Sequence, residues 1–307
     1  MSTSVLFDAP GPRARARHRF LTVVGLVLIL GFVAFALWKL GEKGNLDAEK
    51  WTPFLTAEIW VEYLIPGLLT TLKAAAISVL LAGIFGVLFG MGRLSHTPAL
   101  RWVSTVIVEF FRSVPVLVMM IAAFYFYSYN NVFDSDLNPL AAVITGLTLY
   151  NGSVVAELIR SGVGSLPKGQ SEAGLSIGLT PPQTLRIIQL PQAITAMLPA
   201  LVSQLVVVLK DTALGAIITY DELLNKFAQI GSYKGNPVPA MLVIAMIFIV
   251  INYALTRVAA YVERRLRERG RVTITRGAAG PGGVAEVDTT LIDEQLHEAD
   301  ERALRER

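Results

Sequence analysis

From residue 20 to residue 38 the chain runs for 19 residues without a charged side chain. Coiled as a helix at 1.5 Å per residue, that stretch spans about 28 Å, the thickness of the hydrocarbon core of a bilayer. Such a segment has few ways to fold in lipid. Each backbone N–H and C=O must be satisfied within it, which leaves the α-helix. Five further apolar segments follow at 63–92, 102–129, 139–159, 194–219 and 238–262. The third is interrupted early by Pro115 and the fifth is expected to kink near Pro199. Only 17% of residues are charged and the mean hydropathy is +0.54, against about 25% charged residues in a soluble domain. The expected fold class is therefore all-α: a polytopic membrane protein with six transmembrane helices.

The basic residues orient the spans. Arg13, Arg15, Arg17 and Arg19 precede the first, and 93–101 is a short basic loop. Arg160, Lys168 and Arg186 flank and occupy the loop after the fourth span, and Arg257, Arg264, Arg265, Arg267, Arg269 and Arg271 lie at and beyond the end of the sixth. Basic residues are retained on the cytoplasmic side, so both termini are expected there. The segments 40–62, 130–138 and 220–237 fall outside, the last partly helical. An arginine-rich start before an apolar run also suits a signal peptide, but the run exceeds the usual 7–15-residue core and is read as a retained span. The resulting divisions are a basic arm at 1–19, an extra helix with its external loop at 20–62, a transmembrane domain at 63–270 with a cytoplasmic loop at 160–191, and a charged tail at 271–307. The tail holds a Gly/Ala/Pro linker at 277–283 and a stretch at 291–307 that could form an amphipathic helix, but it is read as flexible.

The chemistry that the sequence lacks is equally informative. Without cysteine there is no thiolate nucleophile, and His18, His96 and His297 are scattered through polar segments, so no metal site is expected. The sequence contains no G-x-x-x-x-G-K-[ST] phosphate loop, no G-x-S-x-G elbow and no H-E-x-x-H, so no catalytic residue is assigned and an enzyme reading has no site. Lipid is the expected surroundings, and nucleic acid is not an expected partner.

The polar stretch 170–193, between two apolar segments, is punctuated as two short helices. Residues 171–177 can be helical, and Gly178 can close them in the left-handed conformation. Thr180, Pro181 and Gln183 restart the chain as N-cap, first helical residue and capping-box partner, and Pro191 is expected to end the unit. This loop resembles that of the inner-membrane permeases of ABC importers, whose pattern is E-A-A, three residues, G, nine residues, I-x-L-P. Here Glu172, Ala173 and Gly174 are followed at that spacing by Gly178 and by Ile188-Gln189-Leu190-Pro191. Gly174 replaces the second alanine, which costs about 1 kcal/mol of helix propensity. Flanking runs at 111–115, 150–160, 166–170 and 209–212 look like the polar amino acid importers of the histidine, glutamine, glutamate and arginine group, and the likeness covers roughly residues 67–263. The N-terminal arm, extra span and charged tail look most like actinobacterial glutamate permeases.

That resemblance implies a five-helix permease core plus one N-terminal helix. It implies coupling to ABC ATPase subunits through Glu172, Ala173, Gly174, Gly178, Ile188, Leu190 and Pro191. ATP and Mg would be bound by the partner ATPase, with no cofactor in this chain. It further implies a second, different permease subunit, an extracytoplasmic amino-acid-binding protein and import by alternating access, with glutamate the first substrate and glutamine, aspartate or another polar amino acid the alternatives. An ion-driven secondary transporter, or a membrane scaffold using its tail, would leave the loop unexplained.

Ionisable groups in or at the ends of spans are costly and often functional. Lys73, Glu109, Arg112, Glu157, Arg160, Lys210 and Asp211 are of this kind. Glu109 with Arg112, and Glu157 with Arg160, are spaced to meet on one helix face and neutralise each other. Asn151, Ser153, Glu157, Lys210 and Asp211 are the candidate substrate path, because a zwitterion needs a cation for its carboxylate and acceptors for its ammonium. Asn151-Gly152-Ser153 has the glycosylation pattern but lies within a span. Gly86 and Gly90, in G-x-x-x-G spacing, suit either a close helix contact or ordinary glycines in a membrane helix.

Overall fold

The computed structural model describes residues 11–270 and divides the chain into two units, Met1–Arg264 and Arg265–Arg307. The linker and helix expected at 277–307 lie outside the described residues. In chain order the helices are α1 (Pro12–Glu42), α2 (Ala48–Trp51), α3 (Ala57–Ile59), α4 (Ile65–Arg93), α5 (Pro98–Ser113), α6 (Val116–Asn130), α7 (Asn138–Gly164), α8 (Lys168–Ser176), α9 (Pro181–Thr184), α10 (Leu190–Asp211), α11 (Asn225–Lys234) and α12 (Pro237–Gly270). No strand occurs among the described residues. Five helices, counting continuous neighbours together, are long and apolar enough to cross a membrane: Arg13–Glu42, Ala57–Arg93, Asn138–Gly164, Pro181–Ile218 and Pro237–Val262.

The segment expected as the third span is two helices rather than one. α5 and α6 meet at 98°, in place of the single span expected at 102–129. Pro115 lacks an N–H and disfavours helical backbone in the residue before it, and Val114 is extended at φ −84° and ψ 129°. The 15 residues of α6 reach only about 22 Å, short of a bilayer's core. α5 buries Ser104 and Val108 and exposes Trp102, Val106 and Phe110 along its opposite face.

The external loop expected at 40–62 also differs, because it is largely helical. α2 and a 3₁₀ turn at Thr52–Leu55 end at the extended Thr56, after which α3 and a π turn at Trp60–Leu64 lead without a break into α4. Phe54, Ile59 and Leu64 bury themselves against Leu223, Ile230 and Ile244, and the Asn236 side-chain amide donates to the Lys50 carbonyl at 2.9 Å. Apolar residues spaced along a polar stretch thus form a collar, with α11 as its other half.

α4 and α7 form the central pair, and glycines set their separation. A Cβ on Gly86 would collide with the Val155 side chain and lie 3.1 Å from the Gly152 carbonyl oxygen, and one on Gly90 would lie 3.1 Å from Ile159 Cβ. Gly152 on α7 gives the same close approach to Phe85. With no hydrophobic gain from leaving lipid, such van der Waals contact is what holds membrane helices together. The G-x-x-x-G spacing is therefore a helix seam within the chain. Gly83 meets nothing within 4 Å.

Two buried clusters mark the ends of this pair. At one end Ile159 and Val163 pack with Leu185, Ala193 and Met197. At the other, Ala74 and Ala75 pack with Met120, Val143, Val208 and Leu209. Between them, at the midpoint of α7, Asn151 donates to the Leu147 carbonyl at 2.9 Å and accepts from the Gln204 amide of α10.

Gly86→Leu is expected to force α4 from α7, with an overpacking cost of about 2 kcal/mol or more. Melting in detergent should show a clear fall in Tm, while Gly83→Leu should leave Tm unchanged. Equal effects at the two positions would mean that the seam does not organise the fold.

Candidate functional site

The loop between α7 and α10 folds locally, as its punctuation implies. α8 ends in paired C-terminal bonds: Gly178 N–H donates to the Leu175 carbonyl at 3.0 Å and Leu179 N–H to the Gly174 carbonyl at 3.1 Å. Gly178 sits at φ +84°, a backbone that closes a helix without penalty only for glycine. Thr180 N–H then donates to Gln183 Oε1 at 2.8 Å, completing the capping box that starts α9.

Gly174 has a positive role in this fold. It is buried, and a Cβ there would lie 2.6 Å from Thr184 Cγ2 and 3.0 Å from Ile188 Cδ1. The departure from E-A-A lets the two legs of the loop touch. The Gln192 side-chain amide donates to Gln170 Oε1 at 2.8 Å, closing the base. Pro191 does not end the unit. It occupies the second position of α10, and a π turn at Leu185–Gln189 joins α9 to it. In the first turn a proline needs no N–H, and the wider turn before it accommodates the ring. The loop's second leg and the fifth span are therefore one continuous helical rod.

Of the seven coupling residues, Gly174 is buried and Ile188 and Leu190 are half-buried, while Glu172, Ala173, Gly178 and Pro191 are exposed. Outward-facing apolar residues that the pattern did not single out stand beside them: Ile177 is 75% exposed and Ile187 62%. Their signal in the sequence is apolar side chains in an otherwise polar loop.

Next to the loop's origin lies an ion-pair network from three helices. Arg93 of α4 reaches Glu109 of α5 and Glu157 of α7, both at 2.9 Å, Arg112 meets Glu109 at 2.8 Å, and Arg160 meets Glu157 at 2.7 Å. The contact to Glu157 is coulombic rather than a directed hydrogen bond, since no acceptor meets Arg93 Nη1 in hydrogen-bonding geometry. The two pairs expected to close on themselves are joined by Arg93, which is buried. Three cations share two anions, a net charge of +1, and an arginine fork suits this bridging.

The five path residues do not form one cluster. Asn151 binds Gln204. Ser153 is buried and donates to the Leu149 carbonyl at 2.7 Å. Glu157 belongs to the network. Lys210 instead is exposed and lines a groove of about 490 Å³ with Ala213, Leu224, Ile244, Phe248 and Asn252. The Asn252 side-chain amide there donates to the Phe248 carbonyl at 2.7 Å and leaves its Oδ1 buried without a donor. Asp211 lies beside Lys210, half-buried.

Glu222, in the connection after the fifth span, carries no sequence signal yet is wholly buried. Its Oε1 accepts from Asn225 N–H at 2.9 Å, and its Oε2 lies 3.2 Å from the Thr71 hydroxyl. That hydroxyl is also 3.0 Å from the Gly67 carbonyl, and its one proton can serve only one of them. A protonated carboxyl resolves the conflict by donating to Thr71. Burial accordingly pushes the Glu222 carboxyl up to about 7, against the hydrogen bonds it accepts.

This helical unit with its capped loop has known counterparts. Residues 82–268 match the family described as binding-protein-dependent transport system inner membrane component. A glutamate transport system permease protein of Corynebacterium glutamicum, GluD, is 49% identical over 228 residues, covering 74% of this chain and 84% of its own length. The probable glutamine ABC transporter permease protein GlnP of Bacillus subtilis is 37% identical, covering 66% and 93%. Among solved structures, one titled as an amino acid ABC transporter with histidines superposes with a TM-score of 0.63 at 26% identity, over 69% of this chain and 98% of its own.

Glu222 gives a pH test. In the unfolded chain its carboxyl ionises near 4.5, in the folded protein at about 7. The folded state is thus penalised as pH rises from 4.5 toward 7, and fully above that, by at most roughly 3 kcal/mol. Glu222→Gln is expected to raise Tm at about pH 8, with the gain gone at about pH 4.5. A gain of equal size at both values would show that the carboxyl's ionisation is not involved.

Proposed function

Because the chain belongs to the family of binding-protein-dependent transport system inner membrane components, we propose that it is the permease of an ATP-driven importer of polar amino acids, with glutamate its first substrate. The observation that carries the reading is the loop at 168–193. It is capped at both turns, clamped at its base and continuous with α10, and it presents Ile177 and Ile187 to solvent. An ATPase subunit with an apolar groove would seat those side chains around Glu172, Ala173, Gly178 and Pro191. Movement of the groove would then tilt α10 as a lever, because no flexible joint separates loop from span.

In this reading the loop end and both termini are cytoplasmic, ATP and Mg are held by the partner ATPase, and a second permease completes the path. An extracytoplasmic binding protein delivers the amino acid at the far end. Lys210, with Asp211 beside it, faces the path, where the Lys210 ammonium complements a carboxylate. Asn151, Ser153 and Glu157 hold the walls. The glutamate assignment is supported by the name of the 49%-identical relative.

The test is uptake of radiolabelled glutamate into proteoliposomes that hold the purified complex and its binding protein. Uptake should need ATP and be displaced by glutamate and aspartate. Ile177→Asp, on an exposed side chain, should cut it by about tenfold or more, or at least 1.4 kcal/mol of coupling, without changing Tm. Uptake driven by an ion gradient without ATP would sink the transporter class. Displacement by arginine or glutamine alone would sink only the substrate.

A further inference from the structure

A second cavity, of about 470 Å³, opens between α4, the α6–α7 connection and the chain that follows the fifth span. Its lining includes Thr70, Lys73, Asp136, Thr219, Tyr220 and Asp221. Lys73 lies 20 residues before Arg93 on one unbroken helix, which separates them by about 30 Å, a full hydrocarbon thickness. The cavity therefore sits at the membrane face opposite the coupling loop.

Its charges are in different states. Asp221 is held by Lys226 Nζ at 2.6 Å and by the Gln229 amide at 2.8 Å. Lys73 and Asp136 have no ion-pair partner among the described residues, so no carboxylate oxygen lies within 4.0 Å of Lys73 Nζ. Asp136 is met only by the neighbouring Ser135 hydroxyl at 3.3 Å. One wall is tied to α4: Tyr220 OH donates to the Thr70 carbonyl at 2.8 Å, and Thr70 Oγ1 lies 2.8 Å from both the Asp221 and the Gly67 carbonyl oxygens. An exposed lysine and an exposed aspartate on a flexible surface would be unremarkable. Here they line one concave space without pairing, and the volume is in the range of small-molecule sites.

We propose that this cavity is an outer receiving site for a free α-amino acid zwitterion, its carboxylate on Lys73 Nζ and its ammonium on the Asp136 carboxylate. The inference rests on the permease reading and deepens it. Opposite charges that line one cavity without pairing are complementary to a molecule that carries both charges, and each contact is a charge-assisted hydrogen bond. The site recognises the backbone that all amino acids share, so discrimination among side chains falls elsewhere.

The experiment uses the whole transporter with its binding protein in proteoliposomes and measures labelled glutamate imported per ATP hydrolysed, for the native chain, Lys73→Gln, Lys73→Arg and Asp136→Asn. Lys73→Gln and Asp136→Asn should each lower the ratio by about tenfold, the worth of one such contact, and Lys73→Arg should recover at least half of it. Affinity of the complex for the loaded binding protein is measured in parallel. An unchanged ratio in both neutral variants overturns the proposal. So does a loss of binding-protein affinity that accounts for the loss of uptake, which would make Lys73 and Asp136 docking contacts. If the native complex imports no amino acid on ATP, the permease reading fails and this site with it, a result separable from failure of the variants alone.

Discussion

Close approach of α4 to α7 is the constraint on which the remaining geometry depends. Three glycines, Gly86 and Gly90 on one helix and Gly152 on the other, let backbone meet side chain without an intervening Cβ. Once that seam is closed, the ends follow. Arg93 is carried to Glu157 at one end, and Ala74 to Val143 at the other. Lipid offers these helices no hydrophobic reason to associate, so shape complementarity and polar links must supply the stability. The Asn151–Gln204 bond is the polar counterpart of the seam, placed where water cannot compete and where an unpaired amide would be most costly.

That rigid pair gives the loop something to act against. Legs that touch at Gly174, a base clamped by Gln170 and Gln192, and a π turn that runs into Pro191 make the loop part of α10 rather than an appendage. A lever needs a fulcrum as well as an arm. α10 meets α7 through Ala193 and Met197 near the loop, at Asn151 in the middle, and through Val208 and Leu209 at the far end. Contact of small apolar surfaces permits sliding or tilting there, whereas the arginine network holds α4, α5 and α7 as one body.

How much of the fold and of the loop is legible in the sequence follows from the range of the interactions. The loop's caps can be read because each involves residues three to five apart: Gly178 with Leu175, Thr180 with Gln183. The spans can be read because lipid makes composition decisive. Pro115 shows where the third crossing breaks, but a right-angle bend depends on what α5 packs against, which its neighbours in sequence do not state. Pro191 misleads because a proline at a helix start and one at a helix end look alike without the hydrogen bonds around them. Arg93 as hub, the collar at 48–64 and Glu222 have no local signature, since partners that place them are 16 to 186 residues away and the topology alone brings them together.

The two ends of the transmembrane unit use the same residue types to opposite effect, and pairing decides which. At the loop end three arginines and two glutamates sit within contact distance and lock together, so each charge has a partner that holds helices. At the far end Lys73 and Asp136 stand on the walls of a cavity without pairing, one on α4 and the other on the α6–α7 connection. A charge left without a partner in its own protein is free to make a charge-assisted hydrogen bond to a ligand of opposite charge. The asymmetry also fits a direction of travel. Unsatisfied charge is placed where a zwitterion is to be received, and satisfied charge where the helices must move as a unit.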